Sequence, residues 1–223
     1  IKVAEHIGSN HKEVFFTPEE GLEAIRDVIY TTETYDTTSI RASVGQYLVC
    51  KHIGTKTDAR VVMVGEGPDE VCSSYLFNWY APDPNDIHES AIEYVKNIHY
   101  YDVKRSDRCI ARWGLEARVA LLDPEFIRAY WVIPSSERFP KTRNIEKWWL
   151  RKAFDDNDLL PNEVLWRKKE AFSDGVSSNE KSWFQIIQEY IKEKYNMEEK
   201  EYYKMKFIEF FGESRLNIIL DYW

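Results

Sequence analysis

Gly65, Glu66, Gly67, Pro68, Asp69 and Glu70 place three carboxylates and two glycines in one short stretch. Glycines let backbone N–H groups come close to a phosphate, whereas carboxylates at the same place can face phosphate only across a cation. Magnesium with a nucleotide meets both conditions; a tight acidic turn without a ligand is the competing reading. Two further runs set Arg or Lys beside aromatic and polar side chains. They are Thr34, Tyr35, Asp36, Thr37, Thr38, Ser39, Ile40, Arg41, Ala42, Ser43 and Trp166, Arg167, Lys168, Lys169, Glu170, Ala171, Phe172, Ser173, Asp174, Gly175. Both read as loops. Other chemistries find no anchor. His6, His11, His52, His88 and His99 lack close metal-ligand spacing, and no G-x-S-x-G, Walker A or G-x-G-x-x-G pattern occurs. Cys50, Cys72 and Cys109 are far apart and odd in number, which points to a reducing compartment.

The acidic stretch follows Val61, Val62, Met63 and Val64, and this run predicts a strand over Ala59–Val64, buried on both faces of a parallel sheet. Ligands of such sheets bind beyond the carboxyl ends of the strands. Val71–Tyr80 is expected to begin a helix. Upstream, Val14, Phe15 and Phe16 form a β-prone run. Thr17, Pro18 and Glu20 mark a helix start with a capping box, and Leu22, Ile25, Val28 and Ile29 give a stripe that should pack on the sheet. Past the break at Ala81–Pro84 the pattern is helical, with no further strand. Helices should open at Asp123–Pro124 and at Asn144, the latter carrying Ile145, Trp148, Trp149 and Ala153 on one face. Ser177 with Glu180 should cap a helix bearing Trp183, Ile186, Ile187, Tyr190 and Ile191, and Lys192–Lys206 reads as a solvated stretch of mixed charge. The organisation expected is one domain, with an α/β part over 1–80 and a mainly helical part over 81–223.

At 223 residues with 43% hydrophobic content the chain can bury a sizeable core. Thirty Lys and Arg against 38 Asp and Glu give a net charge of −8, which argues against nucleic-acid binding by phosphate neutralisation. No run is long enough to cross a bilayer. With Ile1 first and no export signal after it, the chain reads as a piece of a longer, cytoplasmic polypeptide.

The motifs E-T-Y-D-T-T-S-I-R-A-S, G-E-G-P-D-E, Y-D-V-K-R-S-D-R, G-L-E-A-R-V-A-L-L-D and W-R-K-K-E-A-F-S-D-G occur in this order over nearly the whole of Ile1–Trp223. Together they resemble the synthetase domain of the glutamine-hydrolysing asparagine synthetases. That resemblance implies an α/β fold: a parallel-sheet core of the adenine-nucleotide alpha hydrolase-like (ATP pyrophosphatase) kind, then a largely helical C-terminal half. It implies ATP and Mg2+ as cofactors, and aspartate with ammonia from glutamine as substrates. In such enzymes the aspartate side-chain carboxylate attacks the α-phosphate, pyrophosphate leaves, and ammonia converts β-aspartyl-AMP to asparagine. Carried over by match, Val64, Gly65 and Glu66 would bind ATP, with Glu66 also near aspartate. Asp69 would serve magnesium and pyrophosphate, and Lys169 would stabilise the phosphoryl group being transferred. Thr38 and Arg41 match a Thr-x-x-Arg motif, and Asp102 and Arg105 an Asp-x-x-Arg motif, of the acyl-adenylate pocket.

The chain departs from the family's S-G-E-G-S-D-E and G-G-Y at Val64, Pro68, Ser73 and Ser74, and more mildly at Ser39 and Ala120. The pyrophosphate loop S-G-G-x-D-S and the glutaminase domain are expected upstream of Ile1, so the 223 residues alone are expected to be inactive. No nucleic-acid or membrane partner is implied, and a homodimer is compatible. The alternatives are a noncatalytic synthetase-like interaction or regulatory module, to which Val64 and Pro68 point, and a relative that adenylates another carboxylate, as β-lactam synthetases do.

Overall fold

Helix starts follow the local capping chemistry. In the computed structural model the Thr17 hydroxyl accepts the Glu20 N–H, and the Glu20 carboxylate accepts the Thr17 N–H at 2.7 Å, which opens the helix Pro18–Thr32. The Asp36 carboxylate accepts the Ser39 N–H at 2.7 Å and opens the long helix Thr37–Lys56. The polar run expected to be a loop is therefore helical from Thr37 onward. The structure describes residues 1–155, 158–170 and 181–219.

The chain divides into two units: Val14–Val62 with Tyr101–Arg118 and Glu170–Trp223, and Ile1–Glu13 with Met63–Tyr100 and Val119–Lys169. In the first, helices Pro18–Thr32, Thr37–Lys56, Asp102–Ala111 and Glu199–Phe211 pack together. Ile25, Val28, Ile29, Ile40, Val44, Ile187, Ile191, Tyr203 and Phe207 fill the core between them. The stripe of the Pro18–Thr32 helix forms as predicted but packs on helices instead of a sheet. Val14–Phe16 makes no strand, because a β-prone run needs a partner ladder and none pairs with it among the described residues; Phe15 is 85% exposed.

Gly54 lets one of these helices approach its neighbour. A Cβ there would stand 2.5 Å from the Trp113 carbonyl oxygen and 2.9 Å from the Trp113 Cβ. Alanine would gain about 1 kcal/mol in helix propensity, but backbone cannot yield as a side-chain tip does, and overpacking costs roughly 1–3 kcal/mol. The clash dominates. Gly54→Ala should lower the thermal midpoint by a few degrees in a calorimetric scan, and an unchanged or raised midpoint would show that the contact relaxes freely.

The predicted strand exists but is short. Val61–Met63 pairs in parallel with Glu116–Arg118, beside a hydrogen bond from the Glu116 N–H to the Arg60 carbonyl at 2.7 Å. It is not buried on both faces: Val61 is 51% and Met63 70% exposed. With one partner strand among the described residues, no layer covers its outer faces. Glu116–Arg118 is also a strand in the half expected to be entirely helical; its three residues, Glu, Ala and Arg, carry no strand pattern, and only pairing makes them one.

The second unit is built from shorter pieces. Val71, Cys72 and Tyr130 form its core with Leu122, Phe126, Ile127, Trp131 and Trp149, and the Trp131 indole N–H donates to the Val71 carbonyl at 2.9 Å. Asp123 caps the helix Pro124–Trp131 as expected. Asn144 does not open a helix. It closes the turn Pro140–Arg143 in the left-handed region, at φ 54°, a conformation Asn tolerates, and the next helix, Trp148–Ala153, starts after Lys147. Nor does Val71 begin a helix running on to Tyr80: one turn, Pro68–Val71, ends before Ser73 at φ 52°, and a 3-10 turn covers Leu76–Tyr80.

Back in the first unit, Trp183–Tyr195 is helical with Trp183, Ile187 and Ile191 buried, and its capping box uses Ser182 and Gln185. Ser177 and Glu180 lie outside the described residues. The stretch Lys192–Lys206 is only partly solvated: Lys192 pairs with Glu198 at 3.0 Å, but Glu199, Tyr202 and Tyr203 are buried. Among the described residues no helix is long and apolar enough to cross a membrane.

Candidate active site

Directly after the strand, Val64, Gly65 and Glu66 form an irregular segment, and the space where a Gly65 Cβ would point is open. Gly67 then turns the chain at φ 102°, and Pro68 occupies the first helical position, where a missing N–H breaks no intrahelical bond. Asp69 follows. Its Oδ1 accepts from Lys147 Nζ at 2.7 Å, from Lys169 Nζ at 2.9 Å and from the Ser74 hydroxyl. Lys169 also donates to the Ser74 carbonyl at 3.0 Å and stands 4.9 Å from the centre of the Tyr75 ring.

The three carboxylates of the turn do not share one environment. Glu70 is buried and accepts the Tyr75 hydroxyl, so it belongs to the interior. Asp69 is matched by two ammonium groups, which set two cations beside the turn where a phosphate could meet them. Ser73 and Ser74, which replace glycines of the family pattern, form contacts of their own: Ser73 takes the left-handed conformation and donates to the Ile87 carbonyl at 3.0 Å, and Ser74 holds Asp69.

Burial opposes charge on Asp69, but Lys147 and Lys169 outweigh it and bring the carboxyl down to about 2, from an ordinary 3.8. Because the folded value is the lower one, the stability this cluster contributes is fully present above about pH 4 and is lost as pH falls through 2. A carbon-detected NMR titration should find the Asp69 midpoint near 2; a midpoint near 4 would mean that the lysines are not at the carboxylate.

Lys147 did not stand out in the sequence, because nothing local marks it and its partner is far along the chain. In the structure it precedes Trp148 at φ 58°, an unusual conformation for lysine. Arg151 carries no sequence signal either. It donates to the Leu165 carbonyl at 2.5 Å, the Arg167 carbonyl at 3.1 Å and the Glu146 carbonyl at 3.0 Å, and so ties down the segment that leads to Lys169. Ala171–Gly175, the rest of that motif, lie outside the described residues.

Among the described residues no three His, Cys, Asp or Glu side chains cluster to hold a metal unaided. Magnesium commonly takes one or two carboxylates and fills its shell with phosphate oxygens and water, so the ionised Asp69 fits as a single protein ligand to a magnesium nucleotide.

The remaining candidates belong to the other unit. Thr38, exposed, and Arg41 lie on the first two turns of the Asp36-capped helix. Arg41 Nε donates to Glu199 Oε1 at 2.8 Å and its Nη2 to Oε2. Asp102 and Arg105 pair with each other on one helix, Arg105 Nε at 2.8 Å from Asp102 Oδ1, and Arg105 Nη1 reaches Gln46 Oε1 at 3.1 Å. The structure thus brings Asp69 to Lys169, sets Thr38 near Arg41 on one helix, and joins Asp102 to Arg105.

A carboxylate turn after a strand is thus met by a lysine from the W-R-K-K segment. The chain belongs to the asparagine synthase family, whose profile matches residues 1–86 and 80–215. It is 50% identical to the asparagine synthetase [glutamine-hydrolyzing] of Gallus gallus over 190 residues, 85% of this chain and 34% of that protein. Against the proteins of the same name from Homo sapiens and Mus musculus the identity is 48% over 191 residues, 86% of this chain and 34% of theirs. The chain spans about a third of the length of these relatives.

Proposed function

We propose that this chain is part of a cytoplasmic ligase that makes asparagine, activating aspartate with Mg-ATP to β-aspartyl-AMP and transferring ammonia released from glutamine. The observation that carries this reading is the convergence of Lys147 and Lys169 on Asp69 beside an open glycine turn. In the mechanism, Lys169 and Lys147 hold phosphate oxygens and offset charge as pyrophosphate departs. Fixed cations need no reorganisation at the moment of reaction, which is why such groups are worth several kcal/mol. Val64, Gly65 and Glu66 bound the nucleotide, and Glu66 also faces aspartate. Thr38, Arg41, Asp102 and Arg105 serve the acyl-adenylate pocket. Magnesium, when bound at Asp69, supplies neutralisation of the triphosphate. Residues 1–223 constitute part of one synthetase domain, α/β over 1–80 and mainly helical beyond, acting with an upstream pyrophosphate loop and glutaminase and compatible with a homodimer.

The test is product analysis on the longer protein that contains this chain. With Mg-ATP, aspartate and ammonium it should form asparagine, AMP and pyrophosphate in equal amounts. ATP binding without turnover would favour the interaction-module reading, and turnover only with another carboxylate would favour a different adenylating synthetase.

A further inference from the structure

Arg41 and Glu199 are 158 positions apart in sequence, yet Glu199 grips the Nε edge of the guanidinium with both carboxylate oxygens. Glu199 is 5% exposed, and each oxygen receives a second hydrogen bond, Oε1 from the Tyr203 hydroxyl at 2.8 Å and Oε2 from Gln188 Nε2 at 3.3 Å. The phenol remains a dependable donor, since burial and then the Glu199 charge push its pKa well above the ordinary range. The Phe184 ring, 5.4 Å from the guanidinium carbon, covers one face. Arg41 is thus fixed by edge and face, and its other edge, Nη1, donates to no group among the described residues.

A buried ion pair is a poor source of stability, because desolvation offsets most of the attraction. What a bidentate clamp does well is orient a planar fork. We propose that Glu199 is the positioning residue of Arg41, holding the guanidinium so that its Nη1 edge meets an anionic oxygen of the acyl-adenylate or of the carboxylate that forms it. The inference rests on the reading of Arg41 as a pocket residue. Glu199 itself touches no substrate; it acts through Arg41, with Tyr203 and Gln188 holding the carboxylate in turn.

The experiment compares Arg41→Ala, Glu199→Gln, Glu199→Asp and the double variant Arg41→Ala/Glu199→Gln in the longer enzyme. It reads kcat and KM for aspartate-dependent pyrophosphate release alongside the thermal midpoint. Arg41→Ala should lower kcat/KM about 100-fold, and Glu199→Gln about tenfold with a lower thermal midpoint, since the guanidinium loses its buried counter-charge, while Glu199→Asp should recover part of both losses. The double variant should be no slower than Arg41→Ala alone, since two residues acting through one contact are non-additive. Additive losses would overturn the proposal. So would wild-type kinetics for Glu199→Gln where Arg41→Ala is impaired, an outcome that leaves the reading of Arg41 standing. Wild-type kinetics for Arg41→Ala would instead remove that reading and the proposal with it. Should Glu199→Gln fail to fold, Tyr203→Phe and Gln188→Leu carry the test, because each removes one anchor and keeps the ion pair. A loss in kcat/KM of about two- to fivefold supports positioning, and unchanged kinetics in both overturns it.

Discussion

Replacing Lys169 by alanine in the longer enzyme should lower kcat and kcat/KM together by about 100- to 1,000-fold. The ammonium lies 2.9 Å from Asp69 Oδ1 and 3.0 Å from the Ser74 carbonyl, so its place is set before any substrate arrives. In the proposed reaction a cation held in this way acts on charge that grows as pyrophosphate leaves, so its loss should appear in the chemical step more than in substrate binding. Folding should be little affected. Asp69 keeps Lys147 at 2.7 Å and is not left as an unpaired charge, and a partly exposed ion pair is worth only about 0–1 kcal/mol. Steady-state kinetics with a melting curve for the same preparation check both halves. Near-wild-type turnover would remove Lys169 from the site; a collapse in stability would assign it a structural role.

Gly67→Ala should be the most damaging single methyl group in the second unit. At φ 102° an L-residue is strained whatever its surroundings, at a cost of about 1–3 kcal/mol. The added Cβ would also stand 2.4 Å from Leu122 Cδ2 and 2.5 Å from its Cγ. Leu122 packs against Val71, Cys72 and Tyr130 and cannot move without disturbing them, which costs roughly 1–3 kcal/mol more. Equilibrium denaturation should therefore register a loss of about 2–6 kcal/mol, the combination of those two costs. A loss below about 1 kcal/mol would show that the turn has room to rearrange. Any variant that remains folded should also release pyrophosphate more slowly, because this turn sets Asp69 against Lys147 and Lys169.

Features set by neighbours in sequence were legible without coordinates. Thr17 with Glu20 and Asp123 with Pro124 each carry their helix start within four residues. Asp36 carries the same signal, three residues before Ser39, but the hydroxyl-rich run around it reads equally well as a loop. The strand at Val61–Met63 was visible in its β-branched residues, whereas its burial was not, because burial depends on which layers cover it. Among the candidate residues, Asp69 and Lys169 could be named from motif resemblance. Lys147 and Glu199 could not. Lys147 joins Asp69 from a different element, and Glu199 sits in a charge-rich stretch that looks solvated until Tyr203, Gln188 and Arg41 surround it. Pairings between distant positions follow no spacing rule, and folding alone creates them.

Activation of aspartate as an acyl-adenylate can be followed by isotope exchange between pyrophosphate and ATP in the longer protein, with magnesium present and ammonia and glutamine omitted. Exchange reports reversible adenylate formation and requires no later step. Exchange should depend on aspartate and drop about 100-fold or more in Lys169→Ala. Exchange that proceeds equally without aspartate, or none at all in a folded protein that binds Mg-ATP, would contradict that activation.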